Sequence, residues 1–406
     1  MNKNNKKVFV MMSGGVDSSV AALLLKKQGY DVVGVFMRSY NIDGCQERDA
    51  EDARRVAGKL KIPFYVWDFE EEYKKKVVEY MIDGYRQGIT PNPDVMCNKE
   101  IKFGLFLKRS LEMGADFVAT GHYVRLASRR ISDGTGRRLA PAASRDLDSR
   151  RGDFAFGENQ ARRASETFRT EHAKKLAKVY SLFIAKDKNK DQSYFLWTLM
   201  QKQLKHCLFP IGDYLKSDVR KIARKADLST AEKKDSQGIC FLGKVTLDEF
   251  LKQYIPEKRG EVLSVSGEKL GEHKGAHFYT IGQRHINAEI RNLKSEIRKD
   301  RQPFYVAEKD VKTNTLILAE GNDNNLLFKK EIRLSSLNWI PVKFSTSAQK
   351  VFVRVRYRQP LIKAKLFSAK GRYKLIFSEP VKFVASGQSA VFYDKDGEML
   401  GGGIIL

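Results

Sequence analysis

The stretch Val8-Phe9-Val10-Met11-Met12-Ser13-Gly14-Gly15-Val16-Asp17-Ser18-Ser19 decides how the first part of this 406-residue chain folds. Its apolar, β-branched beginning is typical of a buried strand, and the apolar run at 20–25 is typical of a helix packed on a sheet. The glycines permit a tight turn, and Ser18 or Ser19 is predicted to cap the helix. Backbone N–H groups at such a turn favour an anion, so the stretch predicts a phosphate site.

The glycine turn has no lysine after its glycines, so it is not the Gly-x-x-x-x-Gly-Lys-Ser/Thr loop that holds β and γ phosphates. Residues 13–18 instead resemble the loop of the ATP pyrophosphatases (the PP-loop family), which split ATP between its α and β phosphates. The resemblance implies ATP as a substrate, with Asp17 as an oxygen ligand of Mg²⁺. The alternative is an ordinary glycine turn, which six specified residues between a strand and a helix disfavour.

Composition narrows the class of protein. The chain has 74 Lys and Arg against 49 Asp and Glu, a formal net charge of +25, which favours a polyanionic partner. The four cysteines (45, 97, 207 and 240) lack the spacing of a disulfide framework or a zinc site, which indicates a reducing, cytoplasmic setting. Without a signal peptide or an apolar run of about 18 residues, the sequence predicts no membrane segment.

The first part of the chain alternates between strand and helix patterns. Strands are predicted at 31–37, 64–67 and 116–120, and helices at 49–60, 70–88 and 102–113. This alternation predicts an α/β, doubly wound parallel sheet, on which ligands lie beyond the carboxyl ends of the strands. The glycine loop, Met37 and the Gly121-His122 pair are therefore expected on one rim.

The Arg-rich segment at about 126–173 interrupts this pattern. It contains no lysine and no hydrophobic period, which predicts an inserted, disordered surface loop. Between Arg125 and Arg169 there are eleven arginines and six acidic residues, a net charge of +5, so most of the +25 belongs to the rest of the chain. Helices are then predicted at 198–207 and 217–226.

From about residue 243 the pattern changes to short strands separated by glycines. Strands are predicted at 260–263, 277–281, 304–308 and 315–319, and further strands at 351–357, 361–367, 373–377, 381–385 and 390–393. We expect three units: 1–242, a PP-loop ATPase domain; 243–321, a small β-rich central domain; and 322–406, a C-terminal antiparallel β-barrel. The alternation at 351–358 places Arg354, Arg356 and Arg358 on one face, a basic ridge suited to phosphates.

Cys97 follows Thr90-Pro91-Asn92-Pro93-Asp94 and precedes a helix predicted to begin near Asn98. A thiol at a helix N-terminus has a lowered pKa, and Asp94 could accept a proton or orient the thiol. Taken alone, a cysteine in the position of Cys97 or Cys240 is more often a small buried hydrophobic residue. With an ATP-activating loop, two thiols would suit replacement of an activated oxygen by persulfide sulfur.

Seven motifs together carry a family resemblance. In chain order they are Ser-Gly-Gly-Val-Asp-Ser, Thr-Pro-Asn-Pro-Asp-x-x-Cys-Asn, Gly-His-Tyr, Lys-Asp-Gln-Ser-Tyr-Phe, Gly-Ile-Cys-Phe, Phe-Tyr-Thr-Ile-Gly-Gln-Arg and Arg-Tyr-Arg-Gln. In this order they resemble the tRNA-specific 2-thiouridylases, which thiolate the wobble uridine (position 34) of certain tRNAs. The resemblance covers nearly the whole chain apart from the Arg-rich insertion.

The resemblance implies a role for each matching residue. ATP would be bound by Met11, Met12, Ser13, Gly14, Gly15, Val16, Asp17, Ser18, Met37 and Gly121. The uracil, flipped out of its stack, would be held by Asn92, Pro93 and Asp94. Cys240 would carry a persulfide from a sulfur donor or relay protein, and Cys97 would be the nucleophile that forms a transient disulfide with it. Uracil O2 would be adenylated, with AMP and pyrophosphate as products, and Asp94 is the acid/base candidate.

The tRNA contacts implied by the resemblance lie mostly outside the glycine loop. They are His122, Lys190, Asp191, Gln192, Arg356, Tyr357 and Gln388. The tRNAs expected are wobble-uridine tRNAs such as those for Lys, Glu and Gln. Taken alone, His122 could be a structural histidine and the arginine ridge a solvated face. Cys45 and Cys207 match no motif and are predicted to be structural.

Two other hypotheses about the function compete with this resemblance. Another ATP pyrophosphatase, such as an amidotransferase-type synthetase, would explain the glycine loop but not the two cysteines within motifs. A non-catalytic RNA-binding protein would explain the charge but not the presence of Asp17, Asp94 and both cysteines.

Overall fold

The computed structural model describes residues 6–40, 42, 44, 46–131, 177–234, 241–243, 245–284, 286, 289–290, 302–340, 348–369 and 371–406. Cys45, Cys240 and residues 132–176, which make up most of the predicted insertion, lie outside these residues. Among the described helices, none is long and apolar enough to cross a membrane.

The N-terminal part contains a parallel sheet of five strands. They are β1 (Lys7–Met11), β2 (Asp31–Arg38), β3 (Phe64–Asp68), β4 (Phe117–Ala119) and β7 (Cys207–Leu208), in the spatial order β3-β2-β1-β4-β7. Every pairing is parallel. The chain winds outward from β1 in both directions, so the predicted doubly wound sheet is confirmed. The strand order reverses between β1 and β4, where such sheets bind their ligands.

The apolar beginning of the sequence is buried on both faces of this sheet. Val8 and Val10 contact one core, whereas Phe9 and Met11 contact the other, and all four are less than a tenth exposed. A strand in the middle of a parallel sheet is covered by helices on each face, which is why it is continuously apolar rather than alternating.

Helices connect and cover these strands. The regular helices are α1 (Val16–Lys27), α2 (Gln46–Lys59), α5 (Gln201–Leu204), α6 (Lys216–Lys225) and α7 (Leu247–Lys252). Two longer helices, α3 (70–86) and α4 (93–112), each contain a wider π-helical segment, Lys74–Val78 and Cys97–Phe106. Short 3₁₀ turns lie at Ser193–Leu196, Ala276–Phe278 and Asn325–Leu327. The predicted strand at 277–281 is therefore wrong, and the helix predicted at 198–207 is reduced to α5.

An antiparallel hairpin, β5 (Arg125–Ile131) and β6 (Ala177–Phe183), flanks residues 132–176. Leu126 pairs with Leu182 and Ile131 with Ala177. The first six residues of the predicted insertion are thus part of a strand, because they find partners about fifty residues away that local periodicity could not indicate.

The central part is a sheet of five strands. They are β8 (Gly260–Ser264), β9 (Lys269–His273), β10 (Glu289–Ile290), β11 (Phe304–Asp310) and β12 (Thr315–Glu320), in the order β10-β9-β8-β12-β11. The pairing of β8 with β12 is parallel and the other pairings are antiparallel.

The C-terminal part is a closed antiparallel barrel, as predicted. Its six strands are β13 (Phe328–Trp339), β14 (Gln349–Arg354), β15 (Ile362–Ala369), β16 (Arg372–Lys382), β17 (Ser389–Tyr393) and β18 (Met399–Ile405). Val351, Val353 and Val355 face its interior and are at most 3% exposed.

The predicted ridge of Arg354, Arg356 and Arg358 is wrong. The strand ends at Arg354, whose guanidinium is buried and binds the buried Asp191 carboxylate at 2.5 Å. Asp191 also accepts hydrogen bonds from the backbone N–H groups of Ala185 and Ser193. Its carboxylate therefore lies inside the protein, where it joins the N-terminal part to the barrel, rather than on a surface available to tRNA.

We predict that Asp191→Ala lowers the free energy of unfolding by about 3–5 kcal/mol, because it leaves the Arg354 charge buried and uncompensated. Urea unfolding followed by circular dichroism measures this change. The control is Lys374→Met, which removes an exposed ion pair with Glu331 and is expected to cost less than about 1 kcal/mol. Equal, small losses of unfolding free energy in both variants would contradict the interpretation of Asp191 and Arg354 as a buried ion pair.

Candidate active site

The glycine loop lies at the carboxyl end of β1. Gly14 has a φ of +70°, and a Cβ there would lie 2.2 Å from the Asp49 carbonyl oxygen, so only glycine fits this turn. The predicted cap is wrong: Gly15 is the N-cap of α1, and the Ser18 and Ser19 hydroxyls donate to its carbonyl oxygen from inside the first turn. Because Gly15 has no side chain, the helix N-terminus has no capping side chain, which suits an anionic ligand.

Gly121, after β4, packs directly against the start of α1. A Cβ on Gly121 would lie 2.6 Å from the Ser18 backbone nitrogen and 2.8 Å from the Asp17 carbonyl carbon. This approach places the ends of β1 and β4 beside the loop, on the rim where we expected them. Met37 lies at the carboxyl end of the neighbouring strand β2.

Asp17 is held by two partners from distant parts of the chain. Lys216 Nζ donates to both carboxylate oxygens at 2.8 Å, and the Tyr123 hydroxyl donates to Oδ1 at 2.7 Å. The Lys216 side chain is only 12% exposed, and its backbone N–H donates to Asp187. No sequence pattern indicates Lys216, because it lies 199 residues from Asp17 at the start of a helix whose pattern is that of an ordinary surface helix.

The helix that carries Cys97 begins earlier than predicted. Asn92 caps it by accepting a hydrogen bond from the Val95 backbone N–H at 3.2 Å, and Pro93 is its first residue. Cys97 therefore lies in the second turn of α4, and the predicted helix start near Asn98 is wrong.

Asp94 and Cys97 lie on this first part of α4. Cys97 is buried, 4% exposed. Burial raises the pKa of the Asp94 carboxyl above its usual value, and the positive charge of Lys102 offsets part of that rise. A raised pKa makes the ionised carboxylate a stronger base, and Asp94 therefore stays the acid/base candidate.

The barrel and the central part both hold the loop that precedes α4. In the barrel, the Gln388 amide donates to the Thr90 carbonyl oxygen at 2.9 Å, and the Ser386 carbonyl oxygen accepts from the Thr90 N–H at 2.8 Å. In the central part, the Thr280 hydroxyl lies 3.3 Å from that of Thr90. The loop is thus fixed by contacts from outside its own domain. Gln388 makes one of these contacts within the protein, and its predicted contact with tRNA stays a prediction.

His122 is buried between the rim and α4. Its Nδ1 lies 2.8 Å from the Thr120 hydroxyl, and its ring packs against Phe103 of α4 and Phe209. Burial, with a smaller contribution from Lys102, holds the pKa of His122 well below its usual value, so the ring is neutral at pH 7. In this arrangement His122 links the glycine-loop rim to α4, and its tRNA contact stays a prediction.

The other predicted tRNA contacts are partly exposed. Gln192 accepts a hydrogen bond from the Tyr123 backbone N–H at 3.0 Å, so it also supports the rim. The Tyr357 ring packs against that of Phe195 in a tilted arrangement, with ring centroids 4.6 Å apart, and Arg356 donates to the Ile281 carbonyl oxygen in the central part. Lys190 is partly buried in the loop before Asp191.

Three family models match the chain in succession. Residues 6–149 and 157–244 match the "tRNA methyl transferase HUP domain", 248–320 the "tRNA methyl transferase PRC-barrel domain", and 329–405 the "Aminomethyltransferase beta-barrel domain". Fold and site thus define a HUP-domain protein with an ATP-pyrophosphatase loop and two β-rich domains.

Curated relatives match over the full length. The tRNA-specific 2-thiouridylase of Geobacillus thermodenitrificans is 40% identical over 415 residues, covering 100% of this chain and 96% of the relative. That of Proteus mirabilis is 41% identical over 411 residues (100% and 98%), and that of Streptococcus thermophilus 40% over 416 (100% and 96%). The chain belongs to the family of tRNA-specific 2-thiouridylases.

We predict that Gly121→Ala weakens ATP binding by about 10- to 100-fold, because the new methyl group displaces the first turn of α1. Calorimetric titration with ATP measures the affinity. The control is Gly58→Ala in α2, where an added Cβ meets nothing within 4 Å and the affinity should not change. Wild-type affinity in the Gly121 variant would show that this contact does not shape the nucleotide site.

Proposed function

We propose that this protein catalyses ATP-dependent 2-thiolation of uridine 34, the wobble uridine, in tRNA. One observation carries the proposal: a short segment, residues 121–123, contacts both the glycine loop and the helix that bears Asp94 and Cys97. An activated oxygen and a thiol can then meet on one rim. The full-length identity to 2-thiouridylases supports the choice of uridine as the group that is modified.

The first half-reaction joins uracil O2 to the α phosphate of ATP and releases pyrophosphate. Residues 11–18, Met37 and Gly121 form the ATP site in this proposal. Lys216 supplies the positive charge that the loop itself lacks, since its ammonium already lies at the first turn of α1 on Asp17. Asp94 takes the N3 proton of uracil as O2 attacks, which its raised pKa favours.

Magnesium would enter this site with the nucleotide. Among the described residues there is no cluster of three or more His, Cys, Asp or Glu side chains that could hold a metal ion. Mg²⁺ typically binds one or two carboxylates together with substrate phosphates and water. Asp17 is the carboxylate we assign to that role, and the ion would supply charge neutralisation for the leaving pyrophosphate.

The second half-reaction delivers sulfur. The terminal sulfur of a Cys240 persulfide, supplied by a sulfur donor protein, attacks C2, and the C2–O2 bond breaks as AMP leaves with that oxygen. The Cys97 thiolate then attacks the Cys240 Sγ and breaks the S–S bond, which releases 2-thiouridine. The product is a Cys97–Cys240 disulfide, which a thiol reductant returns to two thiols.

Recognition of tRNA in this proposal uses Asn92, Pro93 and Asp94 for the flipped uracil and the positively charged body of the protein for phosphates. The tRNAs for Lys, Glu and Gln are the proposed substrates, and the cytoplasm is the proposed location. Two of the family models are described as methyl transferases. Methyl transfer uses a methyl donor that is already activated, so it would not need a loop that splits ATP.

We predict that Cys97→Ser and Cys240→Ser each lower 2-thiouridine formation by about 10³-fold or more, while tRNA affinity stays within about twofold. Nucleoside mass spectrometry of the reacted tRNA measures the product. Cys207→Ser is the control, because Cys207 is buried, donates to the Gln203 carbonyl oxygen and has a raised pKa through burial. Thiolation that persists in either of the first two variants would exclude the two-thiol mechanism.

Lys216→Met is expected to slow tRNA-dependent pyrophosphate release by about 10²–10³-fold, because one positive charge at the developing phosphate charge is lost. Lys221→Met on the same helix, whose side chain is 74% exposed, should leave the rate unchanged. If both variants release pyrophosphate at the wild-type rate, Lys216 has no part in the ATP half-reaction.

A further inference from the structure

A short segment ahead of Cys240 is anchored unusually well. Thr230 is fully buried and donates to the Ser19 hydroxyl of α1 at 3.0 Å. The Arg220 guanidinium, on α6, donates to the carbonyl oxygens of Ala231 and Lys233 at 2.8 and 3.0 Å. The backbone from 230 to 233 is therefore fixed against two helices that flank the glycine loop.

Lys233 adds a contact to a third helix, α2. Its ammonium binds Asp49 Oδ1 at 2.6 Å and Asp52 Oδ2 at 2.5 Å, with all three side chains about a third exposed or less. Burial lowers the pKa of Lys233, but the two carboxylates outweigh it and raise the pKa above its usual value, so the bridge is charged at neutral pH. Two carboxylates on one ammonium in a partly shielded site are stronger than an exposed pair.

Asp49 of α2 also supports the glycine loop. The Asp49 carbonyl oxygen is the atom that a Cβ on Gly14 would strike. Asp49 thus contacts the ATP loop through its backbone and Lys233 through its side chain. Seven residues after Lys233 the sequence reaches Cys240, and the next residue, Phe241, is fully buried against Tyr73 and Phe250.

We propose that Lys233 is a positioning residue for sulfur transfer, which ties the chain leading to Cys240 to the helix that supports the ATP loop. The inference rests on the proposed function. Helix α2 has a second anchor besides Lys233, because the side chain of its first residue, Gln46, binds the backbone N–H and the hydroxyl of Ser39 after β2. Loss of Lys233 should therefore affect delivery of sulfur more than activation of the uracil oxygen.

The test compares the two half-reactions in the full-length enzyme. In Lys233→Met, 2-thiouridine formation at saturating ATP is expected to fall about 10- to 30-fold, a size typical of coupling through packed contacts. Pyrophosphate release from the same reaction should stay within about threefold, and Lys233→Arg should restore most of the thiolation, since a guanidinium can bind both carboxylates.

The matched control is Arg224→Met. Arg224 binds Glu232, the neighbour of Lys233, at 2.6 Å, but both side chains of this ion pair are more than half exposed. Both half-reactions should keep their wild-type rates in this variant. If Lys233→Met fails to fold, Asp52→Asn removes one of the two carboxylates and should give a smaller loss of thiolation, about threefold, with the same selectivity.

Two results would overturn the inference: wild-type thiolation in Lys233→Met, or an equal loss of pyrophosphate release and thiolation. Cys240→Ser, assayed in parallel, separates this failure from that of the proposed function. Thiolation that survives in Cys240→Ser removes the persulfide mechanism whatever Lys233 does. An inactive Cys240→Ser beside a normal Lys233→Met removes only the positioning role.

Discussion

The contact between Gly121 and the first turn of α1 is the constraint on which the rest of the site depends. It exists because β1 and β4 are parallel neighbours, so that both end at the same rim. The two residues that follow Gly121 then have fixed directions. Tyr123 reaches Asp17 of the glycine loop, and His122 packs on Phe103 of α4. One three-residue segment therefore sets the glycine loop and the helix of Cys97 relative to each other.

The second feature of the architecture is that the loop before α4 is built by three domains. Thr90 makes hydrogen bonds to the barrel and to the central part, and the buried Asp191–Arg354 pair joins the barrel to the N-terminal part. Such a pair contributes little net stability beyond an apolar contact, but removal of either partner leaves a buried charge uncompensated and destabilises the fold. The β domains therefore help to shape the candidate uracil site.

Local patterns predicted the fold well, and long-range contacts account for what was missed. The glycine loop, the apolar β1 and the alternating valines of β14 are each specified by neighbours within a few residues, and the predicted sheet and barrel are confirmed. Lys216 and the burial of Arg354 depend on partners more than 160 residues away. The helix was predicted to begin near Asn98, but α4 begins at Pro93, because proline is favourable as a first helical residue. The role of Cys240 as the persulfide carrier remains a prediction.

The central chemical claim is that uracil O2 is adenylated and leaves as part of AMP. It is tested most directly with tRNA whose uridine 34 carries ¹⁸O at O2, incubated with the enzyme, ATP and a persulfide donor. The proposed mechanism predicts one ¹⁸O atom in the phosphate of AMP for each 2-thiouridine formed. Unlabelled AMP accompanied by 2-thiouridine would contradict it, since sulfur would then have replaced the oxygen without passing it to the nucleotide.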